Sequence, residues 1–358
     1  MSRFLTPKFF DLTPYVPGEQ PQDQQYVKLN TNESPFPPSD GVIEAIRAAG
    51  STSNLYCDPT CNALCKAVAG LYGIDPENVL PVNGSDEILN FAIMAFCDAA
   101  HPLAYADITY GCYPVFADFN HVPSHIIPLK DGFKLDYLDY CGLNETIVIA
   151  NPNAPTGIAI PKWQIEEIVR TNPDNVVIVD EAYIAFGGES CLDLIQKYDN
   201  LLVAHTCSKS HSLAGARLGF GYGNAALLAD INTIKYSTNP YNVNRMAQAA
   251  GIAAVEDNAY YLANCQTIME NRAYTVEKLE DMGFTVLPSS ANFIFATTPK
   301  IPGGTLYEKL KQCGVLVRHF TKEAIQDYLR ISIGTREQME IFLNKTSEIL
   351  EKEGLNHA

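Results

Sequence analysis

One lysine of the chain stands among hydroxyl side chains, just after an apolar run that predicts a buried strand. Residues 201–204 form that run, and Thr206, Ser208 and Lys209 follow it, with Arg217 eight positions beyond the lysine. A lysine amine condenses with aldehydes, whereas hydroxyl and guanidinium groups bind phosphate. The segment therefore has the residue types needed to hold a cofactor that carries both an aldehyde and a phosphate.

Pyridoxal 5'-phosphate is a cofactor with those two groups, and its pyridine ring adds a third requirement. The ring nitrogen needs a carboxylate partner, and the acidic pair Asp180-Glu181 directly follows the apolar run 176–179. A carboxylate that is partly buried at a strand end needs a partner, which a pyridinium N–H would provide. Taken alone, Asp180 could equally be the cap of the next element.

Two more loops follow predicted strands in the same way. The first, 83–87, contains Gly84, Ser85 and Asp86 and opens a helix, whose N-terminus favours a phosphate. The second contains Asn153, whose amide could donate to a ring oxygen from a loop stiffened by two prolines and a glycine. Each loop alone would be an ordinary cap or turn. Because ligands of open α/β sheets sit beyond the carboxyl ends of the strands, the four loops together predict one site.

The elements that must position these loops alternate between strand and helix. Strands are predicted at 79–82, 146–150, 176–179, 201–204 and 218–222, and helices at 62–71, 86–96 and from Pro161 to Pro173. Such alternation predicts an α/β protein whose mostly parallel sheet is covered by helices on both faces.

The length of 358 residues predicts more than one domain. We predict an extended N-terminal arm over 1–38, a large cofactor-binding domain over 39–255 and a small α+β domain over 256–358. The small domain is expected to contain a helix over 260–282 and strands at 284–287, 292–296, 315–317 and 328–333. Its last helix should start at Thr335, with Gln338 placed for a capping box.

Composition argues against several classes of function. The formal net charge of -16 disfavours nucleic acids and anionic membrane surfaces as partners. The longest apolar run, 91–97, is too short to cross a bilayer, and the first residues lack the apolar core of a signal peptide, so we expect a cytoplasmic protein. Cys57, Cys61 and Cys65 are expected to be small buried side chains and not metal ligands.

The four loops, in this order, resemble those of the fold type I pyridoxal-phosphate enzymes and specifically the class I and II aminotransferases. The resemblance extends to the histidinol-phosphate aminotransferase family through the segments 12–15, 29–36, 56–59, 83–89, 183–190, 240–244, 290–293 and 329–334. This family implies a large domain with a mostly parallel seven-stranded sheet between helices, together with a smaller α+β domain.

The resemblance also implies roles for single residues at the cofactor ring. Lys209 is expected to form the Schiff base and act as general acid and base, and Asp180 to pair with the pyridine nitrogen. Tyr110 is expected to stack on the ring, and Asn153 and Tyr183 to contact its phenolic oxygen.

The resemblance also implies which residues bind the cofactor phosphate and which bind the anionic group of the substrate. The residues expected around the cofactor phosphate are Gly84, Ser85, Asp86, Thr206, Ser208 and Arg217, with Tyr56 contributed by the neighbouring subunit of a homodimer. The residues expected at the substrate are Arg330, Arg318, Tyr15 and Asn30, the two arginines holding its carboxylate or phosphate. No metal is expected.

The family's reaction is the ping-pong transamination of L-histidinol phosphate with 2-oxoglutarate, which gives imidazole-acetol phosphate and L-glutamate in histidine biosynthesis. Two alternatives on the same scaffold stay open, namely a threonine-phosphate decarboxylase and an aromatic amino acid aminotransferase. A non-catalytic descendant is disfavoured, because Lys209, Asp180 and Arg217 are all retained.

Overall fold

A computed structural model describes residues 2–353, and its elements alternate as the sequence predicts. The helices are α1 (Asp40–Gly50), α2 (Asn62–Tyr72), α3 (Ser85–Phe96), α4 (Cys112–Phe119), α5 (Lys162–Thr171), α6 (Ala225–Thr238), α7 (Arg245–Glu256), α8 (Asn258–Asp281), α9 (Gly303–Gln312) and α10 (Arg336–Lys352). The strands are β1 (Val27–Lys28), β2 (Val79–Val82), β3 (Leu103–Ala106), β4 (Ser124–Ile127), β5 (Thr146–Ala150), β6 (Val177–Asp180), β7 (Leu201–Thr206), β8 (Gly219–Gly223), β9 (Thr285–Val286), β10 (Phe293–Thr297), β11 (Val315–Leu316), β12 (Arg318–His319) and β13 (Leu329–Ser332).

Seven strands form one sheet in the order β2-β8-β7-β6-β5-β3-β4. Only β8 runs antiparallel to its neighbours, so β2 points the same way as β7 and the other parallel strands. In the centre, Ala150, Asp180 and Ala204 are aligned across β5, β6 and β7. The loops after these strands therefore begin at one edge of the sheet, as the mostly parallel arrangement predicted.

Alternating residues of the central strands pack into two separate cores, one on each face of the sheet. On β6, Val177 and Val179 contact the core that includes Leu64 of α2, whereas Ile178 contacts the core that includes Ile88 of α3. A strand that is buried on both faces must be apolar at consecutive positions, which is why these strands read as continuous apolar runs.

Two strands of the large sheet were missed by the sequence prediction, and their sequences explain why. The edge strand β4 exposes Ser124, His125 and Ile126, so it lacks an apolar run. Its neighbour β3 is a four-residue segment rich in alanine. The end of β6 also differs, because Asp180 is the last residue of that strand and not the first residue after it.

A second, four-stranded antiparallel sheet has the order β12-β13-β10-β9 and packs against α8, α9 and α10. The predicted capping box of α10 is confirmed, with the side chains of Thr335 and Gln338 each accepting from the other's backbone N–H. Within the predicted arm, β1 pairs in parallel with β11, and Leu29 is buried in the core of this second sheet. The division at 38 and 255 stays a prediction.

The cysteines and the helices bear on whether this chain has a metal site or a membrane-spanning segment. Cys61 and Cys65 are buried, as expected, while Cys57 is half-buried and α2 begins only after Cys61. Within residues 2–353, no cluster of three or more His, Cys, Asp or Glu side chains is arranged to hold a metal ion. None of the helices over the same residues is long and apolar enough to span a membrane.

Candidate active site

A cavity of about 350 Å³ opens at the edge of the sheet where β5, β6 and β7 end. Most of the predicted site residues line it. They are Tyr15, Ser85, Asp86, Tyr110, Asp180, Tyr183, Thr206, Ser208, Lys209, Arg217, Arg318 and Arg330. These residues come from six different segments of the chain, so their convergence could not have arisen from local sequence alone.

Lys209 lies at the floor of this cavity, three residues after the end of β7. Its Nζ donates a hydrogen bond of 3.1 Å to the carbonyl oxygen of Thr31. Burial and, secondarily, the positive charge of Arg330 lower the pKa of Lys209 to about 8, although Glu33 opposes the shift. With this pKa about a tenth of the amine is unprotonated at pH 7 and about half at pH 8, and this fraction is able to act as a nucleophile.

Asp180 is buried, with only 5% of its surface exposed, and each carboxylate oxygen accepts a hydrogen bond. The Tyr113 hydroxyl donates to Oδ2 at 2.8 Å, and the Ala182 N–H donates to Oδ1 at 3.2 Å. Burial raises the pKa of Asp180 to about 6, although both hydrogen bonds oppose the rise. At neutral pH the group is an ionised carboxylate with capacity for another donor.

Arg217 and Asp86 join the loop after β7 to the start of α3. Arg217 Nη2 lies 3.1 Å from Asp86 Oδ2, and the Tyr110 hydroxyl donates to Asp86 Oδ1 at 2.8 Å. Gly84 has a φ of +84°, and a Cβ at this position would lie 2.5 Å from Arg217 Nη2. Glycine is therefore required both by the backbone and by the close approach of the guanidinium to the helix N-terminus.

Two hydroxyls complete this side of the cavity. The Thr206 hydroxyl donates to Ser208 Oγ at 3.0 Å, and the Ser208 N–H donates to Thr206 Oγ1 at 3.1 Å. Arg217 Nη1 lies 3.5 Å from Ser208 Oγ, and Ser85 stands at the first position of α3. A guanidinium, hydroxyls and the N-terminal amides of a helix form a set of donors that suits a phosphate.

Arg318 and Arg330 lie on the opposite wall, as register partners on β12 and β13. Arg318 donates to the carbonyl oxygens of Val16 and Pro17, each at 3.1 Å. Arg330 donates to the carbonyl oxygen of Asn30 at 3.0 Å, and its buried Nε has no hydrogen-bond partner. Burial lowers the pKa of Arg330. Since these bonds go to backbone carbonyls, both cations remain available to an anionic ligand.

The structure corrects the prediction for Asn153, whose side chain does not enter the cavity. Its amide nitrogen donates to the Ile108 carbonyl at 2.9 Å and to Thr156 Oγ1 at 3.1 Å, while its oxygen accepts from the Thr109 hydroxyl. These bonds tie the amide to residues 108 and 109 as well as to Thr156 of its own loop, and the neighbouring Ala154 faces the cavity instead.

Asn30 and Tyr56 also lie outside the cavity lining. Asn30 is buried and its side chain donates to the Glu19 carbonyl at 2.8 Å, so it contacts Arg330 only through its own backbone oxygen. Tyr56 is 79% exposed and its ring stacks on Tyr241 with centroids 4.5 Å apart.

Three residues in contact with the site were missed by the sequence prediction. Thr31 accepts the Lys209 bond, Tyr113 holds Asp180, and the Asn32 amide donates to the Tyr183 hydroxyl at 3.0 Å. The requirement that a buried carboxylate has a donor was a usable signal for a residue such as Tyr113. Nothing in the spacing along the chain indicated which of the many tyrosines would supply it.

A second cavity, of about 570 Å³, is larger and lies between the sheet and helices α2 and α7. Its walls include Glu181 and His205, whose Oε2 and Nε2 atoms lie 2.8 Å apart, and Glu181 also accepts from the Cys191 N–H. Neither Lys209 nor Asp180 lines this second cavity. The smaller cavity is the candidate active site, because it contains the reactive amine and the free cations.

The chain belongs to the class I and II aminotransferases, because the model of that family matches residues 24–345. A histidinol-phosphate aminotransferase of Brachyspira hyodysenteriae is 47% identical over 352 residues, covering 98% of this chain and 99% of its own length. A protein of the same name from Marinomonas sp. is 48% identical over 343 residues, covering 95% and 97%. The fold is that of a histidinol-phosphate aminotransferase of Sinorhizobium meliloti solved with pyridoxal-5'-phosphate, with a TM-score of 0.89, 22% identity and coverage of 98% and 99%.

The raised pKa of Asp180 predicts that its carboxylate destabilises the folded, cofactor-free protein at neutral pH. Because folding holds a proton on this carboxyl up to about pH 6, the folded state loses stability as the pH rises from about 4 through 6. Asp180→Asn should therefore raise the free energy of unfolding at pH 7.5 by about 3 kcal/mol. Urea denaturation of both cofactor-free proteins at pH 7.5 and pH 4.5 measures this difference. An equal difference at the two pH values would contradict it.

Proposed function

We propose that this chain transaminates L-histidinol phosphate with 2-oxoglutarate, giving imidazole-acetol phosphate and L-glutamate in histidine biosynthesis. The reaction uses bound pyridoxal 5'-phosphate and takes place in the cytoplasm. One observation carries the proposal: a single cavity holds a half-buried amine, a buried carboxylate and two arginines that have no carboxylate partner among residues 2–353. The names of the full-length relatives at 47% and 48% identity support the same substrate.

The residues present fit the cofactor at each of its polar groups. Arg217, Ser208, Thr206 and the N-terminus of α3 provide the donors for its phosphate, and Asp180 provides the acceptor for its ring nitrogen. Its aldehyde takes up amino groups, and its protonated ring withdraws electrons from the carbon that carries the amine.

Lys209 has two tasks in this account, both at its Nζ. The unprotonated amine holds the cofactor before substrate enters, and it is favoured by burial and by the nearby Arg330. When the substrate amine has taken its place on the cofactor, Nζ is free to act as a general base and acid. It would remove the proton from the substrate carbon and deliver it to the cofactor carbon that carried the aldehyde. The lowered pKa suits both tasks, since proton transfer is most effective when the pKa is near the working pH.

Asp180 and Tyr183 fix the cofactor ring from two sides. The ionised Asp180 keeps the ring nitrogen protonated, because two buried opposite charges stabilise one another. The Tyr183 hydroxyl accepts from Asn32, so its own proton is available to the ring's phenolic oxygen. Tyr110, whose hydroxyl is held by Asp86, is placed to stack on the ring.

Arg318 and Arg330 serve both substrates, since a planar guanidinium pairs bidentately with either a phosphate or a carboxylate. In a chain of net charge -16, such local cations are needed to attract an anionic substrate. Tyr15 lies at the mouth of the cavity, its ring centroid 6.1 Å from that of Tyr110.

We further propose a homodimer in which Tyr56 reaches the cofactor phosphate of the partner subunit. Tyr56 is exposed in a single chain and lies outside its own cavity, yet it is held in place. Its ring stacks on Tyr241, and its carbonyl accepts from Arg245 at 2.6 Å. An ordered, exposed aromatic residue of this kind fits a contact with a second copy of the chain.

The substrate assignment is tested by steady-state assays of the holoenzyme with three amines. With 2-oxoglutarate present, L-histidinol phosphate should be the best amino donor, ahead of phenylalanine, and phosphothreonine should release no carbon dioxide. Arg330→Ala should lose about 2 to 5 kcal/mol of transition-state stabilisation with both L-histidinol phosphate and 2-oxoglutarate, because the anion of each loses its partner. Faster turnover of phenylalanine, or decarboxylation of phosphothreonine, would overturn the assignment.

The cross-subunit role of Tyr56 predicts complementation between two defective chains. Lys209→Ala and Tyr56→Ala homodimers should both be nearly inactive at low cofactor concentration. Mixed subunits should regain about a quarter of wild-type activity, because half of the dimers are hybrids with one intact site each. Activity is measured after co-refolding an equimolar mixture. A mixture no more active than its parents would contradict the shared site.

A further inference from the structure

We infer that Tyr113 is a positioning residue of this site, whose hydroxyl keeps the Asp180 carboxylate ionised and correctly oriented for a protonated ring nitrogen. The inference rests on the proposed function, since it concerns the same cofactor. Tyr113 does not itself line the cavity. Its hydroxyl contacts the site through Asp180, and its ring packs against Tyr110.

Tyr113 is fully buried on α4 and is held by two aromatic neighbours. Its ring packs edge-on against Tyr110, with centroids 5.6 Å apart, and against Tyr105, with centroids 6.3 Å apart. These contacts leave the ring little freedom to move, and the hydroxyl is fixed 2.8 Å from Asp180 Oδ2. The donor is therefore in place before any ligand binds.

The Asp180 carboxylate depends on this donor, because its burial opposes ionisation. Among residues 2–353, the hydrogen bonds to this carboxylate come from one side chain, Tyr113, and one backbone group, Ala182. The Asp86 carboxylate nearby further disfavours the charge, and the His205 imidazole favours it. Hydrogen bonds to a charged group are worth more than neutral ones, so losing one here should be costly.

The phenol also remains a donor throughout the working pH range. Burial, together with the adjacent Asp180 charge, raises the pKa of Tyr113 well above its ordinary value. The other titratable groups near the pair are Asp86, His205, Tyr110, Cys112 and Tyr183. Burial raises the pKa of Cys112 to about 12 and also raises the pKa values of Tyr110 and Tyr183. Tyr113, Cys112 and Tyr183 therefore keep their protons over the pH range in which Asp180 titrates.

The two hydrogen bonds also set the orientation of the carboxylate. Tyr113 holds one oxygen and Ala182 holds the other, so rotation about the Cβ–Cγ bond would break at least one of the two bonds. The remaining lone pairs are then directed in advance, and a ring N–H meets an acceptor that needs no reorganisation.

Tyr113→Phe tests this role, and Tyr105→Phe is the matched control. Tyr105 belongs to the same aromatic cluster, but its hydroxyl donates to Ser124 Oγ at 2.9 Å, away from Asp180. In Tyr113→Phe the dissociation constant of pyridoxal phosphate should rise about tenfold or more. The visible absorption of the holoenzyme, titrated with acid, should change at a higher pH than in the wild type, because Asp180 takes up a proton more readily.

In the assay with L-histidinol phosphate, Tyr113→Phe should lower kcat with little change in KM, since the arginines are untouched. Cofactor affinity and absorption do not depend on the identity of the substrate. A failure of the proposed substrate would therefore leave this test intact. If the affinity and acid titration of Tyr113→Phe match those of Tyr105→Phe, the inference is overturned.

A second comparison separates this role from simple packing. In an Asp180→Asn background no charge is buried at this position, so removing the Tyr113 hydroxyl should reduce cofactor affinity by less than threefold. The double variant also covers the case in which Tyr113→Phe alone fails to fold. A tenfold loss on adding Tyr113→Phe to Asp180→Asn would show that the hydroxyl acts without the carboxylate, and would overturn the inference.

Discussion

The burial of an amine among guanidinium groups is the constraint on which the site depends. Lys209 lies beneath Arg330 and Arg217, and its nearest hydrogen-bond partner is a neutral backbone carbonyl. Such a cluster is unfavourable when empty, because like charges repel and burial removes their hydration. The lowered pKa of Lys209 relieves part of this cost, because the amine can lose its positive charge. Bound anionic ligands would neutralise the positive charge that remains. Reactivity and anion binding therefore have the same physical origin.

The fold supplies what this arrangement needs, which is rigid support on all sides. The parallel strands β5, β6 and β7 end at one level, so Asp180 and Lys209 start from fixed positions. The opposite wall comes from β12 and β13 of the second sheet, where register pairs Arg318 with Arg330. The segment around residues 30–32 joins the walls, since Asn32 contacts both Tyr183 and Ser332. Ligand-binding groups on sheets are held more firmly than groups on free loops.

Much of this could be predicted from the sequence, because the signals were local. An apolar strand followed by an acid or by a hydroxyl-flanked lysine indicates a site wherever the strands lie parallel. Asn153 could not be placed in this way. Its direction depends on hydrogen bonds with Thr109 and Ile108, some 45 positions away in the chain. Asn30 and Tyr113 likewise act through contacts that only the folded chain creates, and β4 has no apolar run to reveal it.

The lowered pKa of Lys209 is the central claim, and the rate at which pyridoxal phosphate condenses with the cofactor-free protein tests it most directly. Absorption at the visible band, followed by stopped flow between pH 6 and 11, reports this rate. The structure predicts a rise through a midpoint near pH 8 and a plateau above it, absent in Lys209→Ala. A rate that keeps rising to about pH 10.5, as for an ordinary exposed lysine, would contradict the account.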